Sequence, residues 1–288
     1  MNSQITESIQ IYLNSQYASI YNNGLYNSDC DYVLPTIEIP SDYQIYLSVQ
    51  SAMIPYSYYN IDSSNNYLVF KWYSINNYAS DAGYIGQTYI TIPVGNYNAI
   101  QLSSYITNQS LGISTVGKND IVVSFNIITN KFEFNSTIYA FMFNYNLSTS
   151  LSLLGFPKYI SSDITPTSSY KSITTGITAY LTSSTQINLS PKKYLYIGTN
   201  LQTGNILTTG IATSNKNNSK NILCAIPVVG GPYSTISYIN YNNFSVNLYN
   251  NILSTINIKI LDSEGIPINF NGQFYSLTLQ LDIINFVS

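Results

Sequence analysis

Eight residues near the C-terminal end, Ser276-Leu-Thr-Leu-Gln-Leu-Asp-Ile283, alternate polar and apolar almost without error. Successive side chains of a strand point to opposite faces, so this segment buries one face and wets the other only if it is extended. The same period recurs at Ile9, Ile11 and Leu13, and at Ile45, Leu47 and Val49, where the run closes at Pro55. Further strand-like runs cover Tyr32–Ile39, Tyr194–Thr199, Ile222–Val229, Thr235–Tyr241, Ser245–Leu248 and Ile256–Leu261. Tyr occurs 29 times, and Tyr, Ile, Val, Phe and Thr favour strands. Many short strands separated by turn residues imply a sandwich or jelly roll.

The middle of the chain breaks the strand series. Strands are expected at Tyr67–Tyr73 and Tyr89–Val94, followed by a helix over Asn98–Leu111. Asn98 caps it, and Gln101 three residues on completes a capping box. Ala99, Leu102, Ile106 and Ser110 share one face, and Gly112 suits the C′ position. A hairpin follows, with Val123, Phe125 and Ile127 on one arm and Phe132 and Phe134 on the other. A short helical turn, Ser148–Leu154, stops at Gly155. This is an α+β unit set between all-β flanks. The expected fold is therefore mainly β, a single jelly roll with an inserted α+β domain. Residues 1–64 form its first half, 65–156 the insertion and 157–288 its second half, with 157–187 read as connector plus weak strand.

Composition removes most chemistries. The chain has no His, and all ten basic residues are Lys. Without His there is no side chain whose ordinary pKa lies between pH 5 and 8, and no Ser-His-Asp or Cys-His relay. Without Arg there is no bidentate clamp for carboxylate, phosphate or guanine. Charged residues make up 8% of the chain and the net charge is −3, so no basic stripe is available to nucleic acid. Lys192-Lys193 is the only adjacent basic pair and reads as solvated. No enzyme activity, catalytic residue, cofactor or transition metal is expected.

The remaining candidates have plain structural readings. Cys30 and Cys224 lack CxxC spacing and read as buried free thiols. The acid pairs Asp29/Asp31 and Asp262/Glu264 are the nearest approach to paired carboxylates or to an oxygen site for Ca2+. Both sit in turn-like sequence, where Asp is favoured for local hydrogen bonds. Trp72, the single Trp, reads as core. Six Asn-x-Ser/Thr sequons arise by chance in a chain so rich in those residues. Met1–Gln10 is polar and does not read as a signal peptide. No apolar run approaches the roughly 20 residues of a membrane span.

Several stretches together resemble a known family. They are Ser51-Ala-Met-Ile-Pro-Tyr-Ser-Tyr-Tyr-Asn60, Ile90-Thr-Ile-Pro-Val-Gly-Asn-Tyr97, Thr129-Asn-Lys131, Leu153-Leu-Gly-Phe156, Asn188-Leu-Ser-Pro191 and the strands up to Ile283. In this order they resemble the penton and minor capsid proteins of virophages, polinton-like elements and nucleocytoplasmic large DNA viruses. The resemblance implies a structural protein of the virion, made in the host cytoplasm. Five copies would fill an icosahedral vertex beside the major capsid protein. It carries over no catalytic residues. It leaves open another minor capsid or cement subunit, and composition leaves open a carbohydrate-binding jelly roll, which needs two or three exposed coplanar rings in one groove. The inserted domain is free to meet a host surface or glycan. Tyr56, Tyr58 and Tyr59, which follow a Pro and precede a polar turn, are expected as exposed interface anchors, because Tyr buries large area at small entropic cost.

Overall fold

The computed structural model describes residues 2–22, 27–40, 42–74, 84–110, 121–137, 139–156, 173–175, 178–190, 192–201, 203–204, 221–250 and 252–287. The chain order is β1 (Asn2–Asn14), β2 (Ile20–Tyr21), β3 (Asp29–Glu38), β4 (Tyr43–Pro55), β5 (Tyr67–Ser74), β6 (Tyr84–Thr91), α1 (Ala99–Gln109), β7 (Val122–Asn126), β8 (Lys131–Ser136), β9 (Tyr139–Phe143), β10 (Ile173–Thr175) and β11 (Thr178–Thr182), then β12 (Tyr194–Thr199), β13 (Thr203–Gly204), β14 (Asn221–Pro227), β15 (Thr235–Ile239), β16 (Val246–Leu248), β17 (Ile252–Leu261) and β18 (Ser276–Val287). It divides into two compact units, Met1–Tyr58 with Lys192–Ser288, and Tyr59–Pro191.

The first unit holds two antiparallel sheets. One runs β1-β18-β4-β16-β13, with β15 also on β4; the other runs β14-β12-β17-β3-β2. Ile236 pairs with Ile54 and Val246 with Leu47, so β15 and β16 follow one another along the same edge of β4 and act as one interrupted strand. With the two-residue strands β2 and β13 set aside, eight principal strands remain. Numbered along the chain, the first sheet reads 1-8-3-6 and the second 2-7-4-5. The first is thus hydrogen-bonded to the eighth, the second to the seventh, the third to the sixth and the fourth to the fifth. That is a long hairpin wrapped around a core, the topology of a jelly roll. The insertion falls between the third and fourth strands.

Alternation makes the core. In β18, Leu277, Leu279, Leu281 and Ile283 are buried against Leu47, Val49 and Ile54 of β4 and against Ile197, Ile226, Ile256, Ile258 and Ile260 of the other sheet. The register from Tyr43↔Asn285 to Met53↔Ser276 joins the expected strand Ile45–Ile54 to the C-terminal one. Both flanks of the chain therefore share one core.

The second unit has its own core. Its sheets run β6-β5-β9 and β10-β11-β8-β7. Asn98 Oδ1 accepts from Gln101 N at 2.8 Å and Gln101 Oε1 accepts from Asn98 N at 3.0 Å, so the capping box is formed. Leu102 and Ile106 of α1 are buried with Phe70, Trp72, Phe134, Phe141, Phe143 and Phe156. The rings touch edge to face, with Phe134–Phe143 centroids 5.1 Å apart and Phe143–Phe156 4.9 Å, a preferred aromatic geometry. Trp72 is fully buried and its Nε1 donates to Thr88 Oγ1 at 2.8 Å.

Three expectations change. The units divide at Tyr58/Tyr59 and Pro191/Lys192 rather than at 64/65 and 156/157. The cause is β11, which pairs with β8 and places residues beyond 156 in the inserted unit. Gly155, at φ +83°, and the turn around it also hold segment 183–188, with Thr185 N donating to Gly155 O at 2.9 Å and Asn188 N to Leu153 O at 3.0 Å. Ile127 does not continue β7: Asn126 Oδ1 accepts from Ile128 N and Thr129 N and starts the turn, leaving Ile127 and Ile128 exposed at its tip. Ser148–Leu154 is a series of hydrogen-bonded turns rather than a helix. Gly112 lies outside the described residues.

Candidate functional site

The loop after β4 was expected to present three tyrosines. The structure instead buries two of them. Tyr56 and Tyr58 are 5% and 4% exposed, and their rings stack at 4.5 Å within the jelly-roll core. The backbone of Tyr56 extends the pairing of β4, donating to Ser234 O and accepting from Tyr233 N, both at 2.8 Å. That pairing points its side chain inward. Tyr58 Oη is buried with no hydrogen bond of good geometry among the described residues, and burial, with Tyr56 beside it, pushes its pKa far up. Lys192 Nζ lies 5.8 Å from the Tyr58 ring centre, so half of the Lys192-Lys193 pair packs on an aromatic face. Of the three tyrosines, Tyr59 alone is half-exposed.

Neither acid pair forms a reactive dyad. Asp29 and Asp31 lie on the same side of β3, where Asn257 Nδ2 of β17 donates to Asp29 Oδ1 at 2.9 Å and to Asp31 Oδ1 at 2.6 Å. Lys259 Nζ sits 3.1 Å from Asp29 Oδ2. Asp29 is thus ion-paired with Lys259, and both carboxylates are hydrogen-bonded by Asn257 across the ladder. Asp262 is a turn former: its Oδ1 accepts from Glu264 N and Ile266 N, both at 2.9 Å. Among the described residues, no group of three or more His, Cys, Asp or Glu is placed to hold a metal ion.

Cys30 and Cys224 are both buried thiols. They lie in the same sheet on β3 and β14, three strand spacings apart. Three spacings are about 14 Å, twice the Cα separation a disulfide can span. Burial pushes Cys30 up to about 11 and Cys224 to about 12, so both stay protonated and inert near neutrality.

Asparagine does the local construction. Asn60 Oδ1 accepts from Tyr97 N at 3.0 Å and its Nδ2 donates to Tyr97 O at 2.8 Å, so one side chain pairs like a strand residue. Asn60 N donates to Asn96 Oδ1 at 3.0 Å, and Ile61 and Gly95 exchange two backbone bonds at 3.0 Å. Asn60 and Ile61 are therefore tied to Gly95, Asn96 and Tyr97 within the inserted unit.

Several large apolar side chains stand exposed among the described residues. Tyr233 and Tyr241 are 84% and 83% exposed on the loops flanking β15, with Phe244 and Tyr249 nearby in the chain. The Tyr241 loop is built: Asn240 Oδ1 accepts from Phe244 N at 3.0 Å and Asn240 Nδ2 donates to Phe244 O at 2.8 Å. Ile20 and Val33 are exposed on the second sheet. Periodicity could not mark these residues, because a loop tyrosine looks alike in sequence whether it points in or out.

A single jelly roll interrupted between its third and fourth strands by a second compact unit defines the fold class. No family model and no curated protein sequence matches the chain. Among solved structures it is similar to the mavirus penton protein, with a TM-score of 0.52 and 16% identity over 96% of this chain and 100% of that one. A chain of the Sputnik virophage is similar at a TM-score of 0.46 and 14% identity, covering 96% of this chain and 98% of that one. The chain has the fold of a virophage penton protein.

Proposed function

We propose that this chain is a non-enzymatic capsid protein of a virion and serves as its penton, five copies forming the capsomer at an icosahedral five-fold vertex. The observation that carries the reading is the fold: 96% of this chain aligns with the full length of the mavirus penton protein. A ring of five needs a head-to-tail contact between two different patches that closes on itself. Each contact needs on the order of 1,200 Å2 of buried area. Tyr233, Tyr241 and Phe244 supply apolar anchors for one side, and Ile20 and Val33 for the other. Tyr59 is the member of the 56–59 loop left to take part in an interface, since Tyr56 and Tyr58 belong to the core. The major capsid protein would abut the jelly-roll unit. The inserted unit, residues 59–191, would meet the host surface or its glycans, with the Ile127–Ile128 tip as its most exposed apolar feature. Nothing in this reading calls for nucleic acid, a cofactor or a membrane span. Negative-stain electron microscopy of the purified chain tests it: the reading expects closed five-fold rings, and single particles or rings of another order would contradict it.

A further inference from the structure

The outer face of the first jelly-roll sheet carries a groove of about 260 Å3 that the assembly reading does not use. Register explains how it forms. Tyr12, Thr278 and Ser51 lie in one row across β1, β18 and β4, and Asn14, Ser276 and Met53 in the next. These six side chains alternate with the buried Leu13, Leu277 and Ala52, so all six point away from the core. Tyr12 is 73% exposed and Met53 58%. They stand as walls on either side of a floor of hydroxyls. The Tyr12 ring is steadied by its Oη donating to Gln10 Oε1 at 2.5 Å.

The lining has three properties that select a ligand. No charged side chain contributes to it, which disfavours anions and cations alike. The hydroxyls of Ser51, Ser276 and Thr278 make no hydrogen bond to any described protein group, and each can donate once and accept twice. Asn14 accepts from Gln16 N through Oδ1 at 2.9 Å, which leaves its amide donors for another partner. An exposed phenol ring and a polarisable thioether face these polar groups. A pyranose has the complementary surface: an apolar C–H face and a rim of hydroxyls, with no charge. The volume is below the roughly 300–1,000 Å3 of pockets for drug-sized ligands, so it suits one sugar ring, for which the single Tyr12 face suffices, rather than a glycan chain, which needs the two or three coplanar rings this groove lacks.

We propose that this groove binds a single neutral sugar residue, with Tyr12 and Met53 packing its C–H face and Asn14, Ser51, Ser276 and Thr278 meeting its hydroxyls. A small ligand of this polarity binds with a dissociation constant on the order of 1–10 mM. In a ring of copies, multivalency raises the effective affinity for a glycan-coated surface by roughly 100-fold or more. The site stands on the jelly-roll geometry and does not depend on the penton reading.

Saturation-transfer NMR on the full chain tests it, using methyl α-mannoside, methyl β-galactoside, methyl β-glucoside, N-acetylglucosamine and, as an anionic control, sialic acid. The expected result is saturable binding of at least one neutral sugar, weakened at least tenfold by Tyr12→Ala and by Met53→Asp but unchanged by Tyr241→Ala. Sialic acid should not bind. Absence of saturable binding by all four neutral sugars would overturn the proposal, as would binding that Tyr12→Ala leaves intact. Light scattering of Tyr12→Ala supplies the second readout: a loss of oligomer mass would make the occupant another copy of this chain and refute the sugar site.

Discussion

Asn60 uses both ends of its amide on Tyr97, and its burial makes that pairing costly to break. Asn60→Asp keeps the acceptor, loses the Nδ2 donor and leaves Tyr97 O without it; leaving a buried polar group unsatisfied costs about 1–3 kcal/mol. Trp72, the only Trp, lies in the core of the inserted unit, so its fluorescence during urea unfolding reads this loss directly, as a lower midpoint with an unchanged slope. The two thiols make a second residue-scale prediction. Burial raises Cys30 to about 11 and Cys224 to about 12 from an ordinary 9.0. The unfolded chain then loses its thiol protons before the folded one does, so stability is complete below pH 9 and falls as pH rises from about 9 to about 12. A thiol reagent at pH 8 should leave native protein unlabelled and modify both cysteines once it is unfolded; fast labelling of the folded protein would contradict their burial.

At the scale of elements, the junction at Gly155 is the most constrained. Its φ is +83°, and a Cβ there would stand 2.4 Å from Thr185 O. Gly155→Ala combines a disfavoured backbone with a clash, so a loss of well over 1 kcal/mol is expected, read by the same Trp72 fluorescence. Gly155 was legible as a stop signal, but its role in holding 183–188 was not. Elements with a one-sided environment were readable for a physical reason. Leu277, Leu279 and Leu281 alternate with polar residues because one face of β18 is wet, and α1 announces itself through Asn98 and Gln101. The strand β9, Tyr139-Ala-Phe-Met-Phe143, was missed because four of its five residues are buried and it shows no alternation. The sequence places β11 with the second half of the jelly roll because its true partner, β8, lies more than 40 residues earlier and no local signal marks the pairing. The 56–59 loop misled in the opposite way: a Tyr-rich stretch after Pro55 looks like surface, yet continued pairing with residues 233–234 turns Tyr56 into the core.

At the scale of the whole molecule, two separate hydrophobic cores predict two independently foldable parts. Replacing residues 59–191 by a short Gly/Ser linker should leave a cooperatively folding jelly roll, because every neighbour pair of its eight principal strands lies outside the excised segment. A molten product by near-UV circular dichroism would contradict that independence. The all-β flanks and the helical interruption are visible in the sequence because each has its own period, but that pattern alone leaves sandwich and jelly roll open; pairing order is set by contacts distant in the chain, and assembly depends on which tyrosines face out, which register decides. The proposed contacts rest on Tyr, Ile and Phe and not on charge, so screening by salt should leave them intact. Light scattering at about 0.05 M and about 1 M NaCl measures this most directly. A mass five times 32.1 kDa, about 160 kDa, at both salt concentrations is the predicted result, and a 32.1 kDa monomer at every concentration, or an oligomer that dissociates in high salt, would contradict it.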